Sequence, residues 1–105
     1  MKTIIIRAND DVMEGDDVTK KYVDITDGQL SLEEKQEIVG GYIEYVPYVR
    51  GLSFPTLHGE NAGSGFTIKS VIVNEEGLMR DLPVNFDLSV IINQRIVGDA
   101  IVEVE

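Results

Sequence analysis

Four groups of residues have types and spacings that could do chemistry. Glu75 and Glu76 are adjacent carboxylates within VIVNEEGLMRDLPVN, residues 71–85. Carboxyl pairs hydrolyse glycosidic bonds only when they face each other across a cleft. Neighbours on a turn point apart and stay solvated, so this pair reads as structural. Glu44, in GGYIEYV, alternates with Ile43 and Tyr45 and shares the other face of its segment with Tyr42 and Val46. If that face is buried, Glu44 needs a partner; if it is exposed, Glu44 is an ordinary outward acid. A hydrolase using Glu44 or Glu75 is the remote reading of these acids.

His58 is the single histidine, and Ser64 follows it in HGENAGSGF. The segment AGSGF lacks the first glycine of a nucleophile elbow, and no strand–turn–helix pattern surrounds it. A phosphate-cradling loop is excluded too, since no Lys-Ser/Thr pair closes the glycines. The fourth group is the acidic run NDDVMEGDDVTKK, with five acids between Asp10 and Asp17. Placing Gly15 at the sixth position of a calcium loop puts Val12 at the third and Lys21 at the twelfth, where a bidentate Glu is required. The run therefore reads as a solvated, mobile loop over 9–21. With one histidine and no cysteine, no metal site and no cofactor are expected.

Aromatic residues offer binding rather than catalysis. Tyr42, Tyr45, Tyr48, Phe54 and Phe66 lie on one segment or on the loop beyond it. With Arg50 and His58 they would rim a site for a planar ligand or a partner protein; alternatively they fill a core that has no tryptophan. The candidate binding set is Tyr42, Glu44, Tyr48, Arg50, Phe54 and His58.

The elements that must position these residues are marked by local signals. TIIIR opens as a strand, and an extended segment at 22–25 ends at the Asp27–Gly28 turn. Ser31 and Glu34 form a capping box for a helix whose core face would hold Leu32, Gln36, Ile38 and Val39. Gly40 and Gly41 stop that helix. Tyr42 to Val46 reads as a strand ended by Pro47, residues 50–66 as a long loop, and TIKSVIV, residues 67–73, as a strand. Asn74 to Gly77 has the order of a hairpin turn, with Gly77 at positive φ and a return strand from Leu78 to Pro83. Asn85 suits a helix cap. In FDLSVIINQ, Phe86–Val90 and Leu88–Ile92 fit helical spacing, while simple alternation fits a strand; the cap favours a helix. After a turn at Gly98 and Asp99, residues 100–104 form the last strand.

At 105 residues, with 43% hydrophobic and 27% charged residues, the chain is expected to be one domain, 1–105. Nineteen acids against nine bases give a net charge of −10, which disfavours nucleic acid as a partner. The same charge either keeps the protein soluble or imitates a phosphate backbone. No apolar run approaches the roughly 20 residues that cross a bilayer. The missing cysteines fit a reducing cytoplasm.

The motifs GGYIEYV, NEEGLMRDLPVN and IVGDAIV, in that order, resemble a family of short phage, algal-virus and mobile-element proteins described only as a domain of unknown function. The resemblance runs from about Ser31 to Val104 and carries Gly41, Tyr42, Ile43, Glu44, Asn74, Glu75, Gly77, Pro83, Asn85, Gly98 and Asp99. It implies an accessory protein acting inside a host cell, with no enzymatic role to carry over.

The expected fold is α+β: a mainly antiparallel sheet of about five strands, with two short helices on one face. The expected function is a non-enzymatic viral accessory that binds a host macromolecule and blunts a process such as defence. The alternative is sequestration of a small molecule in an aromatic pocket, which needs Arg50, Arg80 and Arg95 to converge if the ligand is phosphorylated. An edge strand near Pro47 or at the C-terminus also offers pairing with a second copy.

Overall fold

A computed structural model describes residues 2–8, 23–54, 66–77 and 79–105. The elements are β1 (Lys2–Ile6), β2 (Val23–Asp27), α1 (Leu32–Val39), β3 (Ile43–Tyr45), β4 (Ser53–Phe54), β5 (Phe66–Asn74), α2 (Phe86–Ile92) and β6 (Ala100–Val104). All named strands pair antiparallel, in the order β2-β1-β6-β5-β3, with β4 also alongside β5. The α+β expectation holds, and β4 adds a strand inside the segment read as a loop. The acidic run over 9–21 lies outside the described residues. No helix among those described is long and apolar enough to cross a membrane.

The sheet is centred on β6, which is buried along its whole length. Strand periodicity sends Ala100, Val102 and Val104 to one face and Ile101 and Glu103 to the other. On the first face they join Ile4, Ile6, Phe54, Ile68, Leu88 and Ile92 in the main core. On the second, Ile101 meets Ile72 and Val39. Each fully buried side chain of this kind contributes about 1.5–3 kcal/mol. Thus α2 covers one face and α1 the other, rather than both covering one. Central strands that are apolar on both sides demand two covers.

α1 starts as expected. Ser31 Oγ accepts from Glu34 N and Glu34 Oε1 accepts from Ser31 N, both at 3.1 Å. Gly40, at φ 83, supplies the left-handed C-cap. The core face differs from expectation: Lys35 and Val39 are buried, while Leu32 is exposed. Lys35 turns inward because Glu103 waits beneath it, its carboxylate 3.6 Å from Nζ.

The capping bonds hold the Glu34 carboxyl below its ordinary value, first through the Ser31 backbone and then through its hydroxyl. A depressed pKa means a contribution present above the unfolded carboxylate value and lost as pH falls through the folded one. Glu34→Gln is expected to flatten the acid limb of stability against pH over that window, as followed by circular dichroism of the helix. An acid limb identical to that of the parent would refute this.

The turn after β5 forms, with Gly77 N donating to Asn74 O at 3.2 Å. Among the described residues no return strand follows. Arg80 N donates to Glu76 O and Leu82 N to Gly77 O, a coil of turns, because β3 and β6 already occupy both sides of β5 at this end. Gly77 is not at positive φ. A Cβ there would meet Val97 Cγ2 at 2.8 Å, so close packing explains the glycine. Asn85 caps α2 as expected, accepting from Leu88 N at 3.3 Å. The helical reading of 86–92 is correct: Leu88 and Ile92 enter the core, while Phe86 and Val90 stay outside.

Candidate functional site

β3 is short, and it ends the sheet order. Glu44 pairs with Val73, so its side chain lies on the α2 face; Ile43 and Tyr45 pair with Asn74 and Ile72 and lie on the α1 face. The tyrosines in and around the strand are exposed. Tyr42 is 69% exposed, Tyr45 55% and Tyr48 93%. Glu44 is exposed as well.

Tyr48 is held in an unusual way. Its φ is 62°, in the left-handed region that costs a bulky residue of order 1–3 kcal/mol. This twist throws Tyr48 into solvent while the next residue, Val49, drops into the main core. Gln94 Nε2 donates to Pro47 O at 2.8 Å and ties the turn to the end of α2. The strain is not offset by burial of the ring, which stays almost fully exposed. Tyr48→Gly is expected to raise stability by about 1 kcal/mol or more, because glycine removes the strain and little packing is lost. Urea unfolding checks this, and a loss of stability would count against it.

Between β3, the end of β5 and the segment after α2 lies a cleft of about 320 Å³. Val46, Val73, Ile96 and Val97 give it apolar walls, with Glu44 and Arg95 among its polar lining. Met79 sits at the rim, 88% exposed. Gln94 and Met79 were not singled out from the sequence, and Arg95 only as one of three arginines that would have to converge on a phosphorylated ligand. Their position depends on α2 folding back toward β3, and the only local hint is Asn93, whose left-handed conformation ends α2 just before them.

The remaining candidates separate. Phe54 is 0% exposed and belongs to the main core, so it is no surface binding residue: β4 pairing turns its ring inward. Arg50 is exposed beyond the Tyr48 turn. His58 and Ser64 lie outside the described residues. The three arginines do not share a cavity: Arg80 Nη1 donates to Gly40 O at 2.8 Å, and of the three only Arg95 lines the cleft. The converging-arginine site for a phosphorylated ligand is therefore not formed.

Glu75 and Glu76 are both exposed on the turn, where Glu76 N donates to Asn74 Oδ1 at 2.7 Å. Asn74 itself is buried and donates to Val39 O, closing the end of α1. Gly98, at φ 77, sits where a Cβ would meet Leu82 Cδ1 at 2.9 Å. Pro83 O accepts from Gly98 N at 2.7 Å. Asp99 accepts from Ala8 N at 2.9 Å and pairs with Arg7 at 3.2 Å. Most of the motif residues thus knit the rim of the sheet together, while Tyr42 and Glu44 face outward from it. Among the described residues no three His, Cys, Asp or Glu side chains gather to hold a metal. Compared with protein-family models, curated proteins and solved structures, the chain matches none.

Proposed function

We propose that this chain is a non-enzymatic accessory protein of a virus or mobile element, acting in the host cytoplasm by binding a host protein through its tyrosine edge. The observation that carries the reading is Tyr48, 93% exposed and kept at positive φ a few positions along the chain from exposed Tyr42 and Tyr45. Tyrosine gives large, rigid, amphipathic contact area and is enriched at binding hot spots. The net charge of −10 favours a basic partner surface and disfavours nucleic acid. Blocking such a partner would blunt a host process, defence among them.

The test is native mass spectrometry of the tagged chain from its host's lysate, beside a variant carrying Tyr42→Ser, Tyr45→Ser and Tyr48→Ser. Each truncated hot-spot tyrosine is expected to cost about 1–2 kcal/mol of binding, so the co-purifying protein seen with the parent should be lost from a variant that still melts cooperatively. A partner retained by the variant would move the interface elsewhere. The cleft of about 320 Å³ supports a second reading, sequestration of a small molecule with an apolar body. That reading expects a bound small-molecule mass that survives the tyrosine changes and is lost on filling the cleft with Val73→Phe.

A further inference from the structure

We infer that β3 is a docking edge for an extended segment of a partner, whose residues alternate apolar, basic, apolar. The inference rests on the partner-binding reading above and specifies the chemistry of that partner. It begins with the backbone. Glu75 N donates to Tyr42 O and Val46 N donates to Val71 O, so Tyr42 and Val46 turn their backbone groups toward β5. Antiparallel pairing alternates, so Glu44, paired with Val73, also turns toward β5. Ile43 and Tyr45 therefore point their N–H and C=O groups away from β5, and among the described residues no strand stands beyond β3 in the sheet order. Unpaired edge groups of this kind are a template for another strand.

Side-chain chemistry then selects the occupant. In an added strand, the residues hydrogen-bonded to Ile43 and Tyr45 place their side chains on the α1 face, beside an isoleucine and a tyrosine. Apolar, β-branched residues fit there. The residue between them lies opposite Glu44 in a non-hydrogen-bonded pair, the closer kind, on the face of the cleft. A lysine or arginine there meets the Glu44 carboxylate; Glu75 also lines that cleft, against the single guanidinium of Arg95. A second copy of this chain is the poorer occupant. The register that satisfies both Ile43 and Tyr45 sets Glu44 directly against Glu44, between molecules that each carry −10.

Two peptides test this: acetyl-Thr-Val-Lys-Val-Thr-amide and the same peptide with Glu at the centre. Each is titrated into the ¹⁵N-labelled full chain while backbone amides are followed by NMR and solvent exchange. The lysine peptide is expected to shift the Ile43 and Tyr45 amides and slow their exchange, with the glutamate peptide needing about threefold more. Ile43→Pro removes an outward N–H while sparing the bonds to β5, and should abolish the response with cooperative melting retained; Tyr45→Pro serves if Ile43→Pro fails to fold. Unresponsive amides at 43 and 45, equal potency of the two peptides, or docking at the opposite edge, β2, would each overturn the inference. If the peptide fails to dock but the tyrosine variant still releases the host protein, the edge inference falls alone. If the peptide docks but the variant keeps the host protein, the edge stands and the tyrosine interface falls.

Discussion

Glu103→Ala is expected to cost about 3–5 kcal/mol, which for a domain of this size lowers Tm by more than about 12 °C. The Lys35 and Glu103 side chains are 6% and 5% exposed, 3.6 Å apart between α1 and the sheet. Ser70 Oγ donates to Glu103 Oε1 at 2.5 Å. Among the described residues Glu103 Oε2 accepts no hydrogen bond, so Lys35 is its main compensation. Removing the carboxylate strands a buried ammonium, and that loss dominates over the few methylenes deleted. Lys35→Met, Ser70→Ala and Glu103→Leu together should come out neutral or more stable, by up to about 4 kcal/mol, because desolvation of both charges is avoided. Thermal melts of the single and triple variants decide the matter. A Glu103→Ala protein within about 1 kcal/mol of the parent would show that the pair is already solvated.

The second large effect belongs to Asn85. It is 1% exposed and works in three directions. Its Nδ2 donates to Ile6 O at 2.9 Å and to Gly98 O at 3.1 Å, while Oδ1 accepts from Leu88 N. One side chain therefore starts α2, secures the end of β1 and holds the turn before β6. Asn85→Ala loses a cap worth about 1 kcal/mol and leaves two buried carbonyls without a donor, at about 1 kcal/mol or more each. About 3 kcal/mol is expected in urea unfolding. Asn85→Asp should be no milder, since a carboxylate keeps the cap but cannot donate to either carbonyl. An Asp variant as stable as the parent would show that the two carbonyl bonds contribute little.

What could be read in the chain was what is decided locally. The Ser31–Glu34 box, the Gly40 stop, the Asn85 cap and the strand within 66–74 depend on residues a few positions apart, and each stands as expected. The hairpin after Asn74 failed because the places beside β5 were taken by β3 and β6, which no turn signal can report. Leu32 was expected inside α1 by type, yet Lys35 went in, since its partner is on the last strand. The alternation of Ile101 and Glu103 did hold the clue, as both share one face of a wholly buried strand. For the candidate site, the exposure of Tyr42, Glu44 and Tyr48 could not be told from the sequence, which offered them only as members of an aromatic strand and the segment beyond it. Phe54 looked the same by type and belongs to the core. Arg95 and Met79 reach the cleft only through tertiary folding, beyond any spacing rule.

The order β2-β1-β6-β5-β3 also bears on how the molecule reaches this state. β1 and β6 are neighbours at the middle of the sheet, with Ile4 opposite Val102. The bond from Ala8 N to Asp99 spans 91 positions. Closing so large a loop early is entropically expensive, so folding should belong to the slow, milliseconds-to-seconds class typical of non-local topologies. During synthesis β1 and β5 must wait for β6 to emerge before their shared neighbour exists. Their unpaired edges and apolar side chains stay open until then, the kind of exposure that makes incompletely folded chains aggregation-prone.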